Sequence, residues 1–397
     1  MVLNSLCFFI VLCPLVYLTV ISIESLLYLT QILSLGLVVT FVSWQLTLMI
    51  KSRVLPFVTT NKKAVIITGC DTGFGNSIAK ELFLEGFSVY ACCLDPESDS
   101  SQSLARISKN LSGNSSGKII LLKVDVTNQD QVNQAVQLID ESTTRHCEQV
   151  YCLINNAGMI LGGEIEWGTW EEIEKLFAIN LMGNMRMTRS LLPLLRKSKL
   201  PSRIINMSSV AARFVTPGFV PYGVSKAAVS ALSSGLRREL NKWNIRVIDI
   251  QPDLYKTSLL DRLIDGLERT WIRSPCNIRS SYGSEYFVCF KNYVRENLKT
   301  ARPFPSEVVK TTCQAVLSSD PDDVYICCGR HNRLIIFLMD TLPDAILNFI
   351  TSFFFPSHRP KGFDNITFQH QVNYHREHQN HVSAWNENKR HFIARGL

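Results

Sequence analysis

From Ala64 onward, short apolar runs alternate with longer amphipathic stretches. AVIIT (64–68), SVYACCL (88–94), IILLKVD (119–125), VYCLIN (150–155), RIINM (203–207) and IRVIDI (245–250) are too short to be helices and too continuously apolar to be half-exposed strands. Such runs are the signature of parallel strands covered on both faces. The intervening stretches are of helix length, and a seventh run, 324–328, follows a longer insertion. This succession predicts an α/β fold, a doubly wound parallel sheet of Rossmann-like type, as a single domain over 62–330.

The first fifty residues break this rhythm. Glu24 is their only charged side chain. Runs 2–23 and 25–50 are each long enough to cross a hydrocarbon core of about 30 Å at about 1.5 Å per residue, so residues 1–52 are expected to form a membrane anchor of about two transmembrane helices. Lys51, Arg53, Lys62 and Lys63 follow the second run. Basic flanks stay in the cytosol, which places the following domain there. Near the other end, 331–356 is apolar but interrupted by Asp340, Pro343 and Asp344. That pattern predicts a helical cap, or a helix pair dipping into a bilayer surface, rather than a third span. Residues 357–397 are polar with few aliphatics, as in a weakly ordered tail.

Composition narrows the function classes. A formal charge of +7, dispersed along the chain, supports no nucleic-acid role. Twelve cysteines without CxxC or Cys/His spacing predict buried free thiols and no metal site. Asn110, Asn114, Asn206 and Asn365 each open an N-x-S/T sequence, and none is expected to carry glycan in a cytosolic domain.

Two stretches carry candidate chemistry. TGCDTGFG (68–75) places Gly69, Gly73 and Gly75 on a turn from strand to helix. Glycines there permit a tight turn and close backbone approach to a pyrophosphate, which the helix N-terminus would attract. SSVAARFVTPGFVPYGVSK (208–226) puts Ser208 and Ser209 at the C-terminal end of a strand, and Tyr222 and Lys226 four residues apart. At that spacing on a helix they share a face, and an ammonium near a phenol is expected to draw it toward a usable acid or base.

Together these motifs resemble the short-chain dehydrogenases/reductases over roughly 62–329. TGCDTGFG matches the family's TGxxxGxG turn, Asp125 its aspartate near the adenine, NNAG (155–158) its motif of the same sequence, and Asn180 its catalytic asparagine. Ser209, Tyr222 and Lys226 match its catalytic serine, tyrosine and lysine. Within the family, the turn, LLPLLRKSK and ELNKWNIRVIDIQP look most like the membrane-bound hydroxysteroid and retinol dehydrogenase branch.

The resemblance implies catalysis by Asn180, Ser209, Tyr222 and Lys226, with Ser209 and Tyr222 also meeting substrate. It further implies dinucleotide contacts from Gly69, Asp71, Gly73, Phe74, Gly75, Asp95, Asp125, Asn156, Ala157, Gly158 and Thr257, together with Tyr222 and Lys226. A small lipophilic substrate and a possible homodimer follow by the same analogy. An endoplasmic reticulum membrane, with a mitochondrial membrane as the alternative, completes the expected setting.

Cofactor choice turns on the end of the second strand, where NAD enzymes place an acid and NADP enzymes a base. The usual acidic position is Cys93, Asp95 stands two residues later, and Asp71 and Thr72 occupy the glycine loop. NAD is expected, with NADP as the alternative. One departure is PDLYKT (252–257), where Asp253 replaces the family's glycine. It would cost on the order of 1 kcal/mol if the backbone there is left-handed, and its charge would repel a pyrophosphate. Finally, 258–302 reads as a lid. Leu259, Leu263, Trp271, Tyr282, Tyr286, Phe287 and Phe290 either line a substrate pocket or pack helices onto the core. Three readings follow: a steroid dehydrogenase, a retinol dehydrogenase, or a membrane-tethered dinucleotide-binding protein of low turnover.

Overall fold

The computed structural model describes residues 34–36, 38–43, 57–111, 117–198, 201–303, 305–354 and 360–361. Among them all seven expected strands form: β1 (Lys63–Thr68), β2 (Ser88–Cys93), β3 (Ile119–Lys123), β4 (Gln149–Asn155), β5 (Ser202–Met207), β6 (Ile245–Pro252) and β7 (Val324–Cys327). They pair in parallel in the order β3-β2-β1-β4-β5-β6-β7. Strand order reverses between β1 and β4, and the crevice beyond the strand ends there is where such sheets take ligands.

Burial on both faces explains the unbroken apolar runs. Every residue of β1, β2 and β5 is buried. Alternate residues of each strand face opposite helix layers. Ala64, Ile66, Tyr90 and Leu153 meet Val132 and Ile139 of α3 (Gln129–Arg145) and Met187 and Leu191 of α5 (Asn184–Arg196). On the other face α1 (Gly73–Leu84) packs between α2 (Asp99–Leu111) and α11 (Ser306–Leu317). The remaining helix of the main fold, α6 (Val220–Leu240), begins with Pro221, whose missing N–H costs nothing in a first turn.

Residues 258–302 are largely helical. They fold into α7 (Ser258–Asp261), α8 (Leu263–Arg273), α9 (Cys276–Tyr282) and α10 (Ser284–Lys299). Of the expected pocket aromatics, Trp271, Tyr282, Tyr286, Phe287 and Phe290 instead ring the buried Trp167, with centroids 4.9 to 6.1 Å away. They build a second core of stacked and edge-on contacts. Leu259 and Leu263 alone of the expected set line the main cavity. Two more helices follow, α12 (Gly329–Thr341) and α13 (Asp344–Phe354), and earlier in the chain α4 (Trp170–Phe177) packs against α6.

No helix among the described residues is long and apolar enough to cross a membrane. The expected spans over 1–52 fall almost wholly outside those residues, as does the 357–397 tail. The cysteine expectation needs amending. Cys147 and Cys276 are exposed, whereas Cys70, Cys92, Cys93, Cys152, Cys313, Cys327 and Cys328 are buried and free. Burial pushes the Cys152 and Cys313 thiols up to about 12, so they are inert as nucleophiles.

Candidate active site

One cavity of about 1870 Å³ runs along the C-terminal ends of the strands and is lined at one end by the glycine turn and at the other by apolar side chains. Drug-sized ligands occupy roughly 300–1,000 Å³. There is room for a dinucleotide and a second, lipophilic molecule.

The glycine turn is built by exclusion. A Cβ on Gly75 would lie 2.3 Å from the Gly69 carbonyl oxygen and 2.5 Å from Asn156 Nδ2. Gly69 has φ +70°, and a Cβ there would lie 2.9 Å from the Ala157 Cα. The turn is tied to the NNAG loop by hydrogen bonds: Asn156 Nδ2 donates to the Thr68 and Gly69 carbonyls at 2.9 and 3.0 Å. Thr68 Oγ1 in return accepts from the Asn156 and Ala157 N–H groups, both at 3.0 Å. Helix α1 begins at Gly73 with no side-chain cap and no acidic residue in its first turn. Its N-terminal N–H groups are therefore left for an anion.

At the far end of β2, Cys93 is wholly buried and cannot reach a ribose. The acid comes from elsewhere. Asp71 of the glycine loop accepts from the Asp95 N–H at 2.9 Å and the Leu94 N–H at 3.1 Å, and Asp95 itself is exposed beside it. Asp71, Leu94, Asp95 and Ser98 line this end of the cavity. Asp125 lines it too, its carboxylate accepting from Thr127 N and Oγ1 at 2.8 and 2.7 Å. Across the turn, Thr72 Oγ1 lies 2.6 Å from Ser258 Oγ, beside Thr257, and Phe74 meets Tyr255 edge-on at 6.0 Å.

Of the expected chemical residues, Ser209, Tyr222 and Lys226 line the cavity together, whereas Asn180 is buried behind them and does not line it. Ser209 has extended backbone (φ −170°, ψ 161°), so consecutive side chains point opposite ways. Ser208 turns inward to Asp249 while Ser209 lines the cavity with Tyr222 and Lys226. Lys226 Nζ donates to the Met207 carbonyl at 2.9 Å and lies 5.8 Å from the centroid of the Tyr222 ring. Gly158 and Asn180 close the group. A Cβ on Gly158 would sit 3.3 Å from Asn180 Oδ1 and 3.5 Å from Lys226 Nζ.

Asn180 lies in a π-helical turn, Ala178–Gly183, of a kind that often marks a functional position. Its side chain is saturated with protein partners: Oδ1 accepts from Met159 N at 2.8 Å, and Nδ2 donates to Met159 O and Ser225 Oγ, both at 3.0 Å. No side-chain N–H remains to hold a water.

Two expectations are corrected here. The Lys226 ammonium does not draw the Tyr222 phenol down. Burial pushes the phenol up, and the Ser209 hydroxyl is what opposes that rise. Burial also lowers Lys226, to about 8, with the Asp249 charge working against the fall. The desolvation cost of both groups exceeds what their mutual approach supplies. The Asp253 penalty does not arise either, since its backbone is not left-handed. Its N–H donates to the Cys327 carbonyl at 2.9 Å and its carboxylate accepts from Asn332 Nδ2 at 2.7 Å, which ties the strand end to α12.

The Lys226 shift has a consequence for stability. Folding favours the neutral amine, so the cost of burying the ammonium is full below about pH 8 and disappears as pH rises toward the ordinary 10.5. The cofactor-free protein should gain up to about 3 kcal/mol from this group across that window. Chemical denaturation at stepped pH checks it, and Lys226→Met should flatten the rise.

A family model described as short chain dehydrogenase matches residues 63–267. The mouse protein named short-chain dehydrogenase/reductase family 9C member 7 is 33% identical over 299 residues, 75% of this chain and 91% of its own length. The rat 17-beta-hydroxysteroid dehydrogenase type 6 is 33% identical over 72% of this chain and 86% of its own length. The mouse mitochondrial D-beta-hydroxybutyrate dehydrogenase is 34% identical over 72% of this chain and 82% of its own length. Among solved structures, a short chain dehydrogenase/reductase from Burkholderia phymatum in complex with NAD has a TM-score of 0.56 at 21% identity, covering 71% of this chain and 94% of its own. At that identity the likeness speaks for the fold alone.

Proposed function

The chain belongs to the short-chain dehydrogenase family of oxidoreductases, and from that premise we propose that it transfers hydride between NAD and a lipophilic alcohol or ketone, with a steroid as the substrate class. The observation that carries this reading is the single cavity joining the glycine turn, the Ser209, Tyr222 and Lys226 side chains, and an apolar wall that includes Phe214, Phe219, Leu263, Val294 and Ile336. The hydroxysteroid enzyme among the relatives supports the choice of steroid.

The residues fit a dinucleotide. The glycine turn and uncapped α1 N-terminus suit a pyrophosphate, and the Asp71 and Asp95 end of the cavity suits an unphosphorylated ribose. A 2′-phosphate would meet two carboxylates there, which favours NAD over NADP. When bound, the nicotinamide supplies the hydride acceptor. Tyr222 takes the proton of the substrate hydroxyl, and Ser209 hydrogen-bonds the substrate oxygen as it becomes a carbonyl. Lys226, with Nζ anchored on Met207 O, presents its remaining N–H groups to the cavity for the ribose. Asn180 acts as a positioning residue, docking Met159 and α6 around the lysine.

The N-terminal apolar runs would anchor the enzyme in a membrane, with the endoplasmic reticulum as the setting and the domain facing the cytosol. A lipophilic substrate would then arrive by way of the bilayer.

The test is turnover of a panel of steroids and retinoids with NAD by membranes containing the protein. NADH formation with a steroid supports the proposal. Turnover restricted to retinoids moves the substrate to a primary alcohol, and NAD binding without turnover of any alcohol overturns the enzymatic reading.

A further inference from the structure

Asp249 on β6 is 2% exposed, and the mechanism above gives it no role. It is not a stray buried charge. Its Oδ1 accepts from Ser208 Oγ, and its Oδ2 accepts from Ser230 Oγ and Gln251 Nε2, both at 2.7 Å. Two of these partners lie beside the candidate chemistry: Ser208 precedes Ser209, and Ser230 follows Lys226 by four residues on α6. Residues four apart on a helix are neighbours about 5–6 Å from each other at Cβ. The carboxylate therefore sits one helical turn behind the lysine.

Lys226 needs such a neighbour. It is 6% exposed, and the hydrogen bond that anchors Nζ goes to a neutral carbonyl, Met207 O. A buried ammonium with neutral partners alone tends to lose its proton. Tyr222 faces it from its own helix and Asn180 from the π-helical turn, the latter uncharged. The charged groups on the elements packed against α6 are otherwise engaged. Arg203 on β5 donates to Ala315 O, Arg213 beyond β5 pairs with Asp340 and Gln251, Glu172 on α4 pairs with Arg273, and Arg246 and Lys175 are exposed. Among the described residues Asp249 is the charge that acts on Lys226.

We propose that Asp249 is a positioning residue of this site: held by Ser208, Ser230 and Gln251, its carboxylate is the fixed negative charge that keeps the Lys226 ammonium charged and facing the cavity. Gln251 extends the device. Its Oε1 accepts from Arg213 Nε at 2.5 Å, and Arg213 pairs with Asp340 on α12, so the carboxylate is buttressed from the cavity wall. The proposal rests on Lys226 being the residue that meets the cofactor, but its test does not require turnover.

The experiment follows the rate of Lys226 acylation by acetic anhydride in the cofactor-free protein against pH, read by peptide mass spectrometry, alongside the dissociation constant for NAD. In the wild type the acylation rate should rise, and NAD affinity should fall, through about pH 8. In Asp249→Asn both breaks should move down by roughly one pH unit or more, while Asp249→Glu, which keeps the charge, should restore them toward wild type. A merely structural role would lower the melting temperature and leave the breaks where they were. Should Asp249→Asn fail to fold, the Ser208→Ala, Ser230→Ala double variant loosens the carboxylate and should shift the acylation break the same way by less. An acylation break unmoved in the variants that fold overturns the proposal. Failure of every protein to bind NAD, with the acylation break still shifting, would instead count against the cofactor reading above.

Discussion

Tyr222→Phe is expected to lower the rate of alcohol oxidation by roughly 10²–10⁴-fold, the range for removing a positioned acid or base, while leaving NAD affinity within a few-fold of wild type. The split is the informative part. The Ser209 hydroxyl is the group that opposes the rise of the phenol, whereas the contacts offered to a dinucleotide come from the glycine turn, the NNAG loop and Lys226. Its raised, protonated state in the cofactor-free protein also means the phenol begins as an acid. Oxidation should thus show a strong rise in rate with pH as the group becomes able to accept a proton, and the variant should lack that limb. Steady-state kinetics and NAD titration on the same preparations check both statements.

Gly75→Ala is expected to weaken cofactor binding strongly without touching a single chemical group. The added methyl would fall 2.3 Å from the Gly69 oxygen and 2.5 Å from Asn156 Nδ2, and the first of these is backbone that cannot swing away. The turn must open and the Asn156 bonds to Thr68 and Gly69 must stretch. Overpacking of this kind costs about 1–3 kcal/mol of stability. The same distortion of the phosphate cradle should raise the NAD dissociation constant by roughly 10- to 100-fold. Denaturant titration and binding calorimetry measure the two. A variant that binds NAD as the wild type does would mean that the turn is not where the pyrophosphate lies.

The sheet was legible because its inner parallel strands, buried on both faces, leave continuous apolar runs, and the partly exposed edge strands β3 and β7 carry apolar runs as well. Ser209, Tyr222 and Lys226 come together for a different reason: they follow a strand end or lie in the early turns of α6, where local sequence dictates placement, whereas Asn180 lies in the π-helical turn between α4 and α5. What sequence could not show was where side chains far apart in the chain would meet. Trp167 gave no signal of its own, yet it draws in aromatics from α8, α9 and α10 that would otherwise have served a pocket. Asp71 is expected among the dinucleotide contacts, but only the fold reveals it bonded to the Leu94 and Asp95 amides at the end of β2.

Asp253 taught a similar lesson. A substitution for glycine implies strain only when the backbone angle demands glycine, and here a different angle and the Asn332 side chain make aspartate an ordinary residue. The tuning of Tyr222 was misjudged because helical spacing conveys proximity to a cation but not the cost of burying both groups together. Asp249 lies inside the apolar run of β6, and its position along the chain carries no sign that it meets Ser208 and Ser230.

The most direct measurement is transfer of label from a secondary steroid alcohol deuterated at its carbinol carbon, incubated with NAD and either wild type or Tyr222→Phe. Deuterium recovered in the reduced nicotinamide with the wild type, and all but absent with the variant over the same interval, is the predicted result. Label that stays in the alcohol with wild type across the whole substrate panel, or that reaches the nicotinamide equally fast without the phenol, would contradict it.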